Sequence, residues 1–268
     1  MRSIHTFVVL AYKESSFLEE CIKSVLNQEL KTEVVIATST PNSYIDDLAK
    51  KYNLKIKVNN GKKGIGADFE FALGCVNSEL VTIVHQDDIY DYNYAYDVIN
   101  AYKNNKKNKP IIVFTDYYEI KGKEYKKVYS NINLRIKRFL LFPIRFHILG
   151  KYKFFKRWVI RFGNAISCPA VTFVSHNIKH PVFDFNLKCN VDWEAWERLS
   201  KLDGSFIFVN KIDMGHRIYS ESTTSDIIRQ NIRTKEDYKV YLRFWPKWFA
   251  SLLTKIYKNS EKSNEKDK

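Results

Sequence analysis

Over its first 120 residues the chain alternates short β-prone apolar runs with amphipathic stretches of helical period, and this alternation constrains the fold more than any other feature. Thr6 to Tyr12 is a continuous apolar run, the pattern of a strand covered on both faces. Ser16, with Glu19 three residues later, has capping-box spacing and predicts a helix to about Gln28. Glu33–Thr38, Lys55–Asn59, Leu80–Val84 and Ile111–Thr115 read as the next strands. Helices are predicted over Tyr44–Tyr52, Ala67–Cys75 and Tyr92 to about Asn104, the second entered through a loop broken at Gly61 and Gly64. Strand and helix in strict alternation predict β-α-β units and an α/β, doubly wound sheet flanked by helices.

The pattern then changes. Lys121-Gly122-Lys123 reads as a hairpin turn, and residues 134–162 as a basic aromatic helical insertion. Ala170–Ser175 and Phe206–Val209 read as strands and Trp193–Leu202 as a helix. Helices are expected from about Ser225, interrupted at Pro246, with a disordered charged tail after Asn259. The chain shows no internal repeat and divides into residues 1–120, 121–224 and 225–268.

The formal net charge is +14, from 44 Lys and Arg against 30 Asp and Glu, which favours an anionic partner: nucleic acid, an acidic bilayer or a phosphorylated substrate. The surplus is concentrated, because no Asp or Glu occurs from Tyr125 to Phe183. The four cysteines are far apart and form no Cys-x-x-Cys, which argues against a zinc ribbon and suits a reducing cytosol. Cys21 and Cys75, in apolar helical patterns, are expected to be buried thiols. No stretch reaches the roughly 20 apolar residues of a membrane span, and the first residues lack a secretory apolar region. The expectation is a protein that touches a membrane without crossing it.

Ligands of open α/β sheets bind at the carboxyl ends of strands. The polar residues expected there are Tyr12-Lys13-Glu14, Thr38-Ser39-Thr40, His85-Gln86-Asp87-Asp88 and Asp116. Adjacent carboxylates after a buried strand are costly unless a cation meets them. A divalent ion bridging a diphosphate would do so, with oxygen ligands suiting Mg²⁺ or Mn²⁺. The alternative is that Asp87 and Asp88 cap the following helix.

Four segments carry a family resemblance. Phe7-Val8-Val9-Leu10-Ala11-Tyr12-Lys13-Glu14, followed by Leu18 to Gln28 with its Ser24-Val25-Leu26-Asn27-Gln28 ending, resembles the opening of inverting family 2 glycosyltransferases. His85-Gln86-Asp87-Asp88 is similar to that family's Asp-x-Asp-Asp. Asp192-Trp193-Glu194-Ala195-Trp196 resembles its Glu-Asp-Trp-x-Leu-Trp segment, and His216 to Thr223 its final Tyr-Arg-x-His-x-x-Ser-x-Thr segment.

The resemblance, over residues 5 to 225, implies a single GT-A type doubly wound mixed sheet with the basic aromatic insertion and C-terminal helices appended. Residues 1–120 would form the nucleotide-sugar-binding half and residues 121–224 the acceptor side. It implies donor contacts from Ala11, Tyr12, Glu14, Thr38, Ser39, Asp68, His85, Gln86 and Arg217, a Mn²⁺ or Mg²⁺ site at Asp87, Asp88 and His216, and Asp192 as the catalytic base.

Three positions depart from the family's pattern. The second strand ends in Thr38-Ser39-Thr40-Pro41 rather than Asp-Asp-Gly-Ser, which leaves the base less specified. His85 replaces the first acid of the metal motif. Tyr219 replaces the last motif's His, while His216 stands three residues earlier.

Inverting transfer needs a base to take the acceptor hydroxyl proton during attack on the anomeric carbon. A carboxylate at a helix start is stabilised as the anion, so Asp192 needs burial beside Trp193 to raise its basicity; its alternative is an ordinary helix N-cap. Arg217 would balance charge on the leaving diphosphate, or else form a surface salt bridge.

The run from Arg135 to Arg161, and Tyr241, Phe244, Trp245, Trp248, Phe249, Leu252 and Leu253, suit helices lying on an anionic bilayer, or helices packed on the sheet. The expected partners are a nucleotide-sugar donor, a lipid-linked or glycan acceptor and an anionic membrane surface, with no nucleic acid. The expected place is the inner face of the cell membrane, in bacterial surface polysaccharide synthesis such as capsule or teichoic acid assembly. A nucleic-acid-binding module is the rival class, without an RNP-like, helix-turn-helix or zinc pattern to support it. A nucleotidyltransferase would want a Gly-rich first loop, which Ala11-Tyr12-Lys13-Glu14 is not.

Overall fold

In the computed structural model, which describes residues 3–121, 125–218 and 232–266, with side chains to residue 258, the N-terminal apolar run is β1 (His5–Ala11). Phe7, Val8 and Val9 have no solvent exposure because helices cover both faces. The alternation continues through α1 (Leu18–Leu26), β2 (Glu33–Thr38), α2 (Ser43–Lys51), β3 (Lys55–Val58), α3 (Ile65–Gly74), β4 (Leu80–His85), β5 (Ile89–Tyr90), α4 (Tyr94–Asn105) and β6 (Pro110–Lys121). Then follow β7 (Lys126–Val128), α5 (Ile132–Leu141), α6 (Lys153–Trp158), β8 (Val171–Val174), α7 (Val191–Leu199), β9 (Ser205–Ile218), α8 (Ile232–Tyr241) and α9 (Lys247–Lys266).

One mixed sheet runs β3-β2-β1-β4-β8-β6-β9-β5, with β7 paired to β6. The first four of these are parallel, β8 is antiparallel to both β4 and β6, and β6 is parallel to β9. The sheet thus crosses the boundary at residue 120, joining the two halves through β6 and β9. Its two faces carry separate apolar clusters, one centred on Val8, Ile83, Phe173 and Trp196, the other on Phe7, Val9, Tyr94 and Ile99. The C-terminal helices close the first cluster, burying Tyr241 and Ala250 completely.

Several local expectations change. The capping box does not form: α1 begins at Leu18, whose N–H donates to the Ser15 carbonyl at 3.1 Å, and Glu19 binds Lys51 at 2.8 Å and the Tyr52 hydroxyl at 2.6 Å. Residues 122–124, the expected hairpin turn, lie outside the described residues, as does the helical start at Ser225; the strands flanking the turn do pair, Lys121 with Lys126. The helix α9 continues to Lys266 where a disordered tail was expected, in a stretch without Gly or Pro to stop it. Cys21 is buried, while Cys75 is only partly so. Asp116 is not at a strand end. It sits at a bulge inside β6, accepting from Arg138 Nε at 2.6 Å.

The basic aromatic insertion is broken into short helices rather than long amphipathic ones. Pro143 opens a 3₁₀ turn, and a Cβ on Gly150 would lie 2.0 Å from the Phe206 carbonyl oxygen, so only glycine lets the chain cross β9 this closely. Four cations of this run turn inward, among them Lys137, whose ammonium donates to the Tyr117 hydroxyl at 2.7 Å. Arg138 also binds the Tyr129 and Tyr117 carbonyls, Lys156 is buried on the carbonyls of Leu202 (2.6 Å) and Gly204 (2.8 Å), and Arg157 pairs with buried Glu197 at 2.6 Å. Burial pushes the Lys156 ammonium down to about 8.

Candidate active site

β4 lies between β1 and β8 in mid-sheet, so the turn at its carboxyl end opens where the strand ends converge. The chain folds back at once, Asp88 N–H donating to the His85 carbonyl at 3.1 Å, and continues into β5, which pairs with β9. Asp87 and Asp88 therefore cap no helix; α4 begins only at Tyr94.

Asp88 is fully buried. Its Oδ1 accepts from His216 Nδ1 and from the Arg217 backbone N–H, each at 3.0 Å. Its Oδ2 is buried with no hydrogen-bond partner, and His85 Nδ1 stands 3.8 Å away. His85 Nε2 is likewise buried and unpartnered. Ligand atoms of His85, Asp87 and Asp88 lie within 4.8 Å of one another.

A buried carboxylate oxygen without a donor is expensive. A divalent cation accepting two carboxylates and an imidazole nitrogen would satisfy the orphaned Asp88 oxygen, so these residues fit a metal site. Burial, reinforced by the charge of Asp88 and opposed by His85 and His216, raises the Asp87 carboxyl above the ordinary range. For His216, burial works against the imidazolium, but the neighbouring Asp88 outweighs it and its pKa is raised. His216, expected as a ligand, hydrogen-bonds Asp88, and His85, expected to face the nucleotide, is the histidine whose ring lies with the two carboxylates.

The donor-side residues form a second group beside this one. Ala11 is buried at the end of β1, and Tyr12 and Glu14 are exposed on the loop beyond it. The Gln86 amide pins that loop, accepting from Tyr12 N–H at 2.8 Å and donating to the Tyr12 carbonyl at 3.2 Å. Lys13 has φ 54°, and its N–H donates to Thr40 Oγ1 at 2.6 Å. Buried Thr38 accepts from Thr40 N–H. Ser39 Oγ donates to Asp68 Oδ2 at 3.0 Å and Asn59 Nδ2 to Asp68 Oδ1 at 2.8 Å. The neutral end of β2 therefore has a carboxylate beside it after all, brought by α3.

Arg217 is where structure and expectation part. Its guanidinium is buried between the rings of Phe17 (4.2 Å) and Tyr125 (4.8 Å), donating from Nε to the Asp87 carbonyl at 2.9 Å and from Nη2 to Glu20 at 2.7 Å. It braces the turn at Asp87 rather than standing open to solvent. The sequence reading missed Glu20, Phe17 and Tyr125, whose only signal was an acid in the first turn of a helix and two aromatics in loops. Tyr219 and residues 220–223 lie outside the described residues.

Asp192 lies in the first turn of α7, whose N-cap is Asn190. Its Oδ1 accepts from Trp193 N–H and its Oδ2 from Asn164 Nδ2, each at 2.7 Å. Burial raises its carboxyl above the usual range, against those two bonds and the charges of Arg233 and His85. Burial, and then the charges of Asp192 and Asp88, push the Cys168 thiol pKa up. Asn164, whose Oδ1 is buried without a partner, is a second residue missed; nothing in its spacing marks it.

The family model described as glycosyl transferase family 2 matches residues 6–162. No curated protein matches the chain. Crystal structures of S. aureus TarS share the fold: residues 1–349 align at TM-score 0.59 and 14% identity, covering 95% of this chain and 69% of that one. The same fragment in complex with UDP-GlcNAc aligns at 0.58 and 14%, covering 95% and 70%. In the longer TarS structure, also 0.58 and 14%, the match covers 94% of this chain but 42% of that one.

Proposed function

The chain belongs to glycosyl transferase family 2 and is a glycosyltransferase, and from that premise we propose that it transfers a sugar from a UDP-sugar, with inversion, to a lipid-linked or glycan acceptor. One observation carries the reading. Two buried orphaned atoms, Asp88 Oδ2 and His85 Nε2, share a strand-end turn with Asp87.

Asp87, Asp88 and His85 would hold Mg²⁺ or Mn²⁺, which supplies positive charge for the leaving diphosphate when bound. His216 and Arg217 keep Asp88 and the Asp87 carbonyl in place. Gln86 fixes the loop at Tyr12 against which the nucleotide would lie, and Asp68 offers a carboxylate beside Ser39. In the reaction the acceptor oxygen bonds to the anomeric carbon, the bond from that carbon to the diphosphate oxygen breaks, and the acceptor proton passes to Asp192. Burial makes Asp192 a better base, while Asn164 and Trp193 N–H keep it oriented.

The setting that suits a lipid-linked acceptor is the inner membrane face, in bacterial surface polysaccharide synthesis. No described helix is long and apolar enough to cross a membrane. The test is thermal denaturation with a panel of nucleoside diphosphates, with Mn²⁺ or with chelator. UDP should stabilise the fold only with the metal; no stabilisation by any nucleotide sinks the reading.

A further inference from the structure

The insertion and the C-terminal helices meet in a face that the transfer chemistry does not use. α6 packs on the segment before α9: the Arg157 guanidinium lies 4.5 Å from the Phe244 ring and donates to the Arg243 carbonyl, and Arg161 stacks 3.9 Å from the Trp245 ring. Between them is an open groove of about 310 Å³ lined by Lys153, Phe154, Arg157, Arg161 and Phe244. Arg157 has Glu197 as its partner. Among the described residues no carboxylate pairs with Lys153 or Arg161. Residues 125–183 and 238–260 contain no Asp or Glu. Burial, and then repulsion from Arg157, lowers the Arg161 pKa.

Large apolar side chains stand exposed around the groove. Phe154 is 60% exposed and Trp248 is 72% exposed, the latter connected to Arg161 through Phe249 and Trp245. Leu252 and Ile256 continue the outer stripe of α9 at four-residue spacing, and Phe142 and Phe146 extend the exposed surface of the insertion. Exposed apolar area of this extent marks an interaction surface. Aromatic rings interleaved with unpaired cations match the boundary of an anionic bilayer, where rings enter the acyl edge and cations meet phosphates.

We infer that this face docks on an anionic membrane, with the groove at Lys153, Arg157 and Arg161 taking a lipid phosphate and Phe154 and Trp248 entering the interface. The inference rests on the proposed lipid-linked acceptor for its use, and on the surface alone for its chemistry.

The test is flotation of the full chain with phosphatidylcholine vesicles, with and without phosphatidylglycerol. Binding should require the anionic lipid and weaken with salt. Lys153→Gln with Arg161→Gln should weaken it about 25-fold, at about fivefold per cation. Phe154→Ser with Trp248→Ser should abolish stable binding, while both variants keep a wild-type circular-dichroism spectrum and cooperative melting, even where Arg161 loses its stacking on Trp245 and Phe154 its contact with Trp158. Absence of vesicle binding, or equal binding to neutral vesicles, overturns the inference. So does an Arg161-dependent rise in melting temperature with inorganic phosphate but no vesicle binding, which would make this a soluble phosphate site. Light scattering that shows a dimer dissolved by Trp248→Ser, again without vesicle binding, would assign the face to a second copy. Metal-dependent UDP binding, read on the same samples, stands or falls separately.

Discussion

His216 Nδ1 lies 3.0 Å from Asp88 Oδ1, because the pairing of β5 with β9, Ile89 opposite Gly215, sets His216 beside the carboxylate that precedes β5. The bond occupies one oxygen of Asp88 and leaves the other, buried and unpartnered, turned toward His85. A fixed acceptor of this kind is preorganised for a cation and costs stability without one.

The first prediction follows from that division. Removing Asp87 takes one ligand from the metal turn without touching the His216–Asp88 bond. Asp87→Ala should fold, yet lose the Mn²⁺-dependent stabilisation by UDP entirely. Chelator should have the same effect on the wild type. Equal stabilisation by UDP in excess chelator would remove the metal from donor binding.

Arg217 gives a prediction that separates bracing from catalysis. Its guanidinium holds Glu20, the Asp87 carbonyl and two rings at once, so Arg217→Lys loses the fork and weakens the contact with both rings. Leaving the Asp87 carbonyl and the two rings without it should cost on the order of 2 kcal/mol of stability, measured by urea denaturation, and weaken UDP binding with it. Unchanged stability with weakened UDP binding would instead favour the direct diphosphate contact read from the sequence.

A third prediction concerns pH and lies away from the site. Burial, then the nearby Asp97, pushes the Asp213 carboxyl up to about 7, and Lys211 only partly opposes this. A carboxyl whose folded pKa is raised favours its protonated form in the fold. Its contribution is therefore present at low pH and lost as pH climbs from the unfolded value near 4 through about 7. Asp213→Asn should raise the melting temperature at pH 8 and leave it nearly unchanged at pH 4. A uniform shift at both would show that the charge is not the cause.

What the sequence made legible depended on whether a residue's partner was near in the chain. Strands buried on both faces, such as β1 and β4, were read to within one or two residues, because continuous apolar runs have one explanation there. β6 and β9 were read too short: Ile111–Thr115 is part of Pro110–Lys121, and Phe206–Val209 part of Ser205–Ile218. Their outer halves carry Asp116, Glu119 and Lys211, which look like loop residues until Arg138, Asn131 and Asp97 supply their partners from elsewhere. The antiparallel insertion of β8 between β4 and β6 leaves no local mark either. At the candidate site, motif order pointed to Asp87, Asp88 and Asp192, while the bracing of Arg217 and the bond from Asn164 to Asp192 depend on contacts across the fold.

The last prediction is that Asp192 acts as base and is separable from the metal turn. Its carboxylate is held by Trp193 N–H and Asn164, and burial raises its pKa. The N-cap of α7 is Asn190, so Asp192→Asn keeps the cap and retains an oxygen for the Trp193 N–H. General-base catalysis contributes about 10² to 10⁴-fold, and turnover should fall by that order. UDP binding with Mn²⁺ should be unchanged, because the base meets the acceptor and not the donor. Asn164→Ala should act through Asp192 and lose less: the carboxylate is freed of one donor, so the acidic limb of the pH–rate profile should move to higher pH. An Asp192→Asn variant with near-normal turnover on its acceptor would take Asp192 out of the mechanism. One that lost turnover only in proportion to a lowered melting temperature would leave it a structural residue of α7. If Asp192→Asn and Asp87→Ala both lost metal-dependent UDP binding, the two carboxylate sites would be one, and the division of labour between donor and acceptor sides would fail.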